Sequence, residues 1–180
     1  EENICANLKT LLESAVEKRL MSERGAVGCL LSGGLDSTLV TAIMCKFMDP
    51  SKLNTYSIGL KGSVDLMWAR RAANYLGTRH HEVCLTEQEF LDAIEDTIYQ
   101  IESYDTTSVR ASLPNFLISK YISKHSEDVV IFCGDMSDEI FGSYRGFTKA
   151  PSDEEFKREN ERMIRDVRYF DLLQIGRAHV

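Results

Sequence analysis

Short apolar runs alternate with helical patterns along most of the chain. Apolar residues spaced three and four apart predict an amphipathic helix over residues 4–20. The continuous apolar run AVGCLL, residues 26–31, is short enough to predict a buried strand instead. A second helix is predicted over 37–48, and it must end before Pro50.

The same alternation continues toward the other end of the chain. Three further strands are predicted at 53–60, 80–85 and 129–133. A helix is predicted at 64–76, ended by Gly77, and another from Thr86 to about Ile101, opened by a Thr86–Glu89 capping box. A third helix should contain Pro114 in its first turn and continue to His125. The last should begin at Ser152, capped with Glu155, and continue toward Phe170.

Strands that alternate with helices predict right-handed crossovers and an α/β fold. We expect a doubly wound, Rossmann-like parallel sheet with helices on both faces. Ligands bind such sheets at the carboxyl ends of the strands, near the point where the strand order reverses. Three unusual segments occupy those ends: SGGLDS at 32–37, Ile58-Gly59, and CGDMSDE at 133–139. Their convergence predicts a ligand site at one edge of the sheet.

Composition and charge narrow the function classes. The 180 residues suffice for one domain with a real core. The net charge is 21 minus 28, or −7, which disfavours a dedicated nucleic-acid binder. No apolar run is long enough to span a membrane. Five cysteines without a CxxC pair predict reduced thiols in a cytoplasmic protein and no zinc site.

The two ends of the sequence carry their own expectations. The chain opens on Glu1, without a methionine, so we expect its beginning to have been cut. Its last letters, QIGRAHV, match a translated sequencing adapter, so we expect 175–180 to be a non-native tail. The predicted domain is therefore 1–174, continuing beyond this chain.

The SGGLDS segment has the chemistry of a phosphate-binding turn. A strand that passes through Ser-Gly-Gly into a helix presents backbone N–H groups and the positive end of the helix dipole. Ser32 and Ser37 add hydroxyl donors, and Asp36 makes sense if magnesium lies between it and a phosphate. The Walker and dinucleotide glycine patterns are absent. The alternative is a plain glycine-rich turn in which Asp36 caps the helix.

Longer stretches add a family resemblance. SGGLDS resembles the pyrophosphate loop of the N-type ATP pyrophosphatases, and residues 56–83, 101–112 and 129–151 closely resemble the synthetase domain of glutamine-dependent asparagine synthetases. The resemblance covers nearly all of 3–173. It implies the adenine nucleotide alpha hydrolase-like version of the fold, with ATP and magnesium as cofactors. It also implies that aspartate is amidated through an aspartyl-adenylate, with release of AMP and pyrophosphate.

The resemblance further implies partners and site residues. Ammonia would come from glutamine through an amino-terminal glutaminase domain absent from this chain, and a homodimer is left open. Asp135, Ser32 and Arg110 would be catalytic, and Asp36 and Asp138 would hold magnesium from opposite loops. The nucleotide-contacting positions would be Leu31, Ser32, Gly33, Gly34, Asp36, Ser37, Ile58, Cys133 and Gly134, with Leu31 and Ile58 as an apolar wall for adenine.

One segment departs from the family pattern. The family usually has SGEGSDE where this chain has CGDMSDE. Asp135 shortens the reach of the carboxylate by ~1.5 Å, one carbon–carbon bond. Met136 replaces a glycine, and its bulk is expected to crowd the ligand or bar a positive φ. A nucleotide-binding homologue without catalysis therefore stays open. A related adenylating ligase, such as a β-lactam-forming synthetase, stays open as well.

Overall fold

A computed structural model describes residues 2–22 and 26–175, with side chains described for 3–20 and 26–166. The chain divides into two compact units, Glu1–Cys133 and Gly134–Val180. Of the predicted non-native tail, only the backbone of Ile175 is described, as the end of the last helix. The rest of the tail lies outside the described residues.

The first unit contains the sheet and most of the helices. Its elements are α1 (Glu2–Ser22), β1 (Ala26–Leu30), α2 (Leu35–Phe47), β2 (Asn54–Leu60), α3 (Val64–Leu76), β3 (Arg79–Leu85), α4 (Glu87–Asp92), α5 (Ile94–Ile101), α6 (Thr106–His125) and β4 (Asp128–Phe132). The second unit contains α7 (Ser137–Phe141) and α8 (Asp153–Ile175). Short 3-10 turns lie at Pro50–Lys52 and Arg145–Lys149.

The four strands form one parallel sheet in the order β3-β2-β1-β4. The chain builds outward from β1 to β3 and then returns to place β4 on the other side of β1. The strand order therefore reverses between β1 and β4, where parallel sheets leave a crevice for ligands. Leu30 of β1 pairs with Tyr56 of β2, and Cys29 of β1 pairs with Phe132 of β4.

Alternation along the strands divides the core between the two faces of the sheet. On one face, Cys29 packs with Val16 of α1 and Met44 of α2. On the other face, Tyr56 packs with Ile118 of α6. Successive strand residues point to opposite faces, so helices must cover both to bury them. This arrangement confirms the predicted doubly wound parallel sheet.

Most predicted elements are present, and the region around Pro114 is the main correction. The Thr86–Glu89 capping box is formed, but its helix is interrupted at Ala93 and continues as α5. The prediction that Pro114 lies in a first turn is wrong, because α6 begins at Thr106 and contains Pro114 in its interior. Asp105 caps α6 by accepting the Ser108 N–H at 2.8 Å. This cap and the buried face of α6 outweigh the hydrogen bond that proline cannot donate.

The last helix begins where it was predicted and is longer than expected. The Glu155 N–H donates to Ser152 Oγ at 3.2 Å, and α8 continues past Phe170 to Ile175. Among the described residues, no helix combines the length and hydrophobicity needed to cross a membrane.

Candidate nucleotide site

The SGGLDS segment forms the connection from β1 to α2 at the reversal of the strand order. The Leu31 N–H still belongs to the sheet, donating to the Tyr56 carbonyl at 2.8 Å. Gly34 is the N-cap of α2, and none of the described side chains caps this helix end. Asp36 lies in the first turn without capping it, so the capping interpretation of Asp36 is wrong. The first N–H groups of α2 are thus left for an anion.

Two serines brace the turn from inside. The Ser32 and Ser37 hydroxyl oxygens lie 2.9 Å apart, and the Ser32 N–H donates to Ser37 Oγ at 3.2 Å. Ser37 is buried, whereas Ser32 is exposed. Ser37 therefore holds the shape of the turn from its buried side, and Ser32 is the serine that a ligand can reach.

Gly33 fits where no other residue would. Its φ is +81°, and a Cβ there would lie 2.4 Å from the carbonyl carbon of Trp68 and 2.5 Å from the Ala69 nitrogen. The turn therefore packs directly on the backbone of α3. Trp68, the chain's single tryptophan, is a neighbour of the turn that no sequence pattern indicated. Local patterns could not identify it, because the contact depends on how α3 packs.

The remaining predicted positions of the first unit are arranged unevenly. Leu31 is completely buried, whereas Ile58 is partly exposed, so Ile58 is the better placed of the two to contact an adenine ring. Cys133 is exposed directly after β4, the neighbour of β1. Arg110 is exposed in α6, and among the described residues no hydrogen bond or ion pair joins it to the turn.

His80, the first residue of the histidine pair in β3, has a structural role. Its two ring nitrogens lie 3.0 Å from Thr55 Oγ1 and 3.1 Å from Ser57 Oγ. Burial lowers the pKa of His80, which favours the neutral ring. His80 thus packs between strands β2 and β3 and lies away from the turn.

The second unit begins with the segment that departs from the family pattern. Met136 is the N-cap of α7 with φ +74°, so the expectation that its bulk bars a positive φ is wrong. Ser137 Oγ donates to the Gly134 carbonyl at 2.7 Å and closes the turn. Asp135 is exposed. This turn therefore accommodates methionine at a positive φ.

The two predicted magnesium ligands lie in different units. Asp36 is partly buried in α2, and Asp138 lies in the first turn of α7, where its Oδ1 accepts the Ser143 hydroxyl. The described residues contain no cluster of three or more acidic, histidine or cysteine ligands. Magnesium commonly takes only one or two carboxylates plus phosphate oxygens and water. Carboxylate oxygens suit magnesium, and its binding at Asp36 and Asp138 stays a prediction.

Comparison with known proteins settles the family. The asparagine synthase family model matches residues 7–174. The chain belongs to the asparagine synthase family. It is 46% identical to asparagine synthetase [glutamine-hydrolyzing] of Cricetulus griseus and of Gallus gallus, and 44% identical to that of Homo sapiens. Each match covers 98% of this chain and 32% of the relative, so the chain spans about a third of these proteins.

Solved structures agree on the fold of this asparagine synthase family member. An NH3-dependent NAD synthetase from Campylobacter jejuni superimposes with a TM-score of 0.53 at 16% identity, covering 77% of this chain and 60% of that one. An NMN synthetase from Francisella tularensis gives 0.50 at 15% identity, covering 86% and 68%. These likenesses support the adenine nucleotide alpha hydrolase fold and nothing further.

Proposed function

We propose that this segment carries the ATP-dependent step that converts aspartate to asparagine. An oxygen of the aspartate side-chain carboxylate attacks the α-phosphorus of ATP, and the bond to pyrophosphate breaks. Ammonia then attacks the acyl carbon of the aspartyl-adenylate, and AMP leaves as asparagine forms. Family membership and the names of the relatives support this proposal.

The observation that carries it is the uncapped turn from β1 into α2. Pyrophosphate leaves with several negative charges, and fixed N–H donors stabilise such charge without reorganising. Gly33 and Gly34 keep the backbone bare, Ser37 holds the turn in shape, and Ser32 offers a hydroxyl. The turn lies where the strand order reverses, which is where this sheet would bind a ligand.

Carboxylates and one arginine complete the proposed machinery. Asp36 and Asp138 would hold magnesium, which neutralises phosphate charge when it is bound. Asp135 would take a proton from the attacking ammonia, and Arg110 would contact a negatively charged substrate group. Ile58, Cys133 and Gly134 would contact the nucleotide, together with Leu31.

The ammonia source and setting complete the proposal. Ammonia would come from glutamine, hydrolysed in a domain outside this segment, as the names of the relatives indicate. We place the reaction in the cytoplasm, which the lack of a disulfide among the described cysteines supports. A homodimer is compatible with it.

A second candidate is nucleotide binding without ligation. The segment that departs from the family pattern favours it, because Asp135 reaches less far than a glutamate and Met136 occupies a strained position. Misplacing a reacting group by ~1 Å can cost about a hundredfold in rate.

Nucleotide binding can be tested on this chain directly. The backbone and Cβ of Trp68 lie against Gly33 and the residue is 44% exposed, so its fluorescence should change when pyrophosphate or ATP with magnesium occupies the turn. Ser37→Ala should weaken that response, whereas Ser123→Ala, at an exposed helical serine, should leave it unchanged. No response to either ligand would contradict the proposed site.

Ligation has to be tested in a protein as long as the relatives. A chimera would carry residues 7–174 in place of the matching segment of the Cricetulus griseus synthetase. Pyrophosphate release that depends on aspartate, with asparagine formed from ammonia, would support the ligase. Nucleotide binding without pyrophosphate release would favour the second candidate. The unaltered synthetase serves as the positive control.

A further inference from the structure

A cavity opens at the end of the sheet opposite the turn. It has a volume of about 500 Å³, within the range of small-ligand sites. It lies at the amino ends of the strands, where β1 begins at Ala26 and β4 begins at Asp128. The proposed nucleotide chemistry uses none of its residues.

The floor of this cavity is a fixed polar network. The Tyr56 hydroxyl donates to Asp128 Oδ2 at 2.5 Å and lies 2.8 Å from Ser126 Oγ. Asn54 Nδ2 donates to the same Asp128 oxygen at 2.9 Å. Tyr56 is only 1% exposed, so this network is rigidly held. Two donors thus converge on one oxygen of the Asp128 carboxylate and fix its position.

The walls are rich in basic side chains. Lys52, Arg79, His81 and His125 all line the cavity, against the acidic side chains of Glu127 and Asp128. Within the described residues, none of these four basic groups belongs to an ion pair. Such a concentration of basic groups contrasts with a chain whose net charge is −7.

Both imidazoles are held in place by aromatic neighbours. The His81 ring stacks on Tyr56 with centroids 5.1 Å apart, and the His125 ring stacks on Tyr121 at 4.4 Å. His81 Nε2 also lies 3.4 Å from Asn54 Oδ1. Preorganised donors lose little entropy on binding, which favours recognition of a small ligand.

We propose that this cavity binds a compact anion with at least two negative charges, a phosphate or a small dicarboxylate. Arg79 would supply a forked pair of N–H donors, which suit phosphate and carboxylate oxygens. Lys52 would add a second positive charge, and the two imidazoles would add N–H donors. The site is separate from the turn at Ser32–Ser37, since the two lie at opposite ends of β1.

Histidine NMR signals of the full chain provide the test, with inorganic phosphate, succinate and chloride as probes. His81 and His125 should shift with phosphate, succinate or both, and should respond much less to chloride. His80 packs between strands, outside the cavity, and should not move. Anions bound at Ser32–Ser37 would change Trp68 fluorescence and leave these two histidines unmoved.

Two variants decide the outcome. Arg79→Gln should weaken the His81 and His125 responses about tenfold, the effect of losing a charge-assisted contact. Lys124→Gln removes a charge from α6 outside the cavity and should change nothing. An unchanged midpoint of urea unfolding reports that each variant is folded. The proposal is overturned if neither anion moves His81 or His125 at about 20 mM, well above a millimolar Kd, or if Arg79→Gln responds like the parent.

Discussion

The turns after β1 and after β4 both need a residue at positive φ, but different residue types occupy that position. Each contains one residue at positive φ, Gly33 at +81° and Met136 at +74°. At Gly33 the backbone of α3 leaves no room for a Cβ, whereas Met136 is 40% exposed. A positive φ alone therefore makes glycine preferable, and a close backbone neighbour makes it obligatory.

The largest effect should come from adding a single methyl group at Gly33. Gly33→Ala would bring Cβ to 2.4 Å from the Trp68 backbone, in addition to the strain of φ +81°. We expect about 3 kcal/mol of lost stability, from left-handed strain and overpacking together, and loss of the pyrophosphate response. Urea unfolding and Trp68 fluorescence would measure both.

Gly62→Ala is the matched control for that change. Gly62 has the same φ of +81°, but no described atom would lie within 4 Å of a Cβ added there. The substitution should cost only about 1 kcal/mol, from conformational strain alone. Equal losses in the two variants would show that crowding by α3 is unimportant.

Lengthening the side chain of Asp135 tests whether the reach of its carboxylate limits the ligation rate. Asp135→Glu in the chimera restores the reach of the family's carboxylate, and we expect the ligation rate to rise by up to about a hundredfold. Asp153→Glu, an exposed position at the start of α8, is the control for an added methylene. An unchanged asparagine rate would indicate that Asp135 already reaches the reacting atoms or takes no part.

Removing the hydroxyl of Ser37 should have an intermediate effect on the first turn. Ser37→Ala removes the acceptor of the Ser32 N–H and leaves Ser32 Oγ with only the Gly34 N–H as a described partner. We expect about tenfold weaker pyrophosphate binding, equivalent to losing one net hydrogen bond in the site. Titration of Trp68 fluorescence measures it. Undiminished affinity would mean that the glycines alone shape the turn.

The smallest effect should come from returning glycine to the second turn. Met136→Gly relieves left-handed strain in the folded state but raises the conformational entropy of the unfolded chain. We expect the free energy of unfolding to rise by about 0.5 kcal/mol. Hydrogen exchange of α7 would report it. Gly142→Ala is the opposing control, because φ is +60° and a Cβ would lie 3.0 Å from Asn160 Nδ2. A loss of protection in Met136→Gly would contradict the strain argument.

Much of this molecule could be predicted from its letters because the signals are local. The strand and helix periods, the Gly77 end of α3 and the Thr86–Glu89 capping box all depend on neighbours within a few residues. The prediction for the segment around Pro114 was wrong because it, too, depended only on local signals. A proline near a helical pattern suggests a first turn, and only the cap at Asp105 together with burial of Ile118 overrides it.

The candidate nucleotide site also has features that the sequence predicted and features that it did not. The strand-to-helix turn at SGGLDS was predictable, since a strand, two glycines and a helix follow each other in the chain. The contact between Gly33 and the backbone of Trp68 was not, because it joins segments far apart in sequence. The positions of Asp135 and Asp138 relative to a substrate stay predictions.

Local patterns in the chain were enough to predict the order of strands and helices, the glycine-rich connection from β1 to α2 and the family. Packing in three dimensions was needed to show which helix covers which face of the sheet, why Gly33 must be glycine, and that Met136 adopts a positive φ. It also brought Lys52, Arg79, His81 and His125 around one cavity. Periodicity and capping act through bonds a few residues apart, whereas packing joins distant segments whose meeting no local pattern encodes.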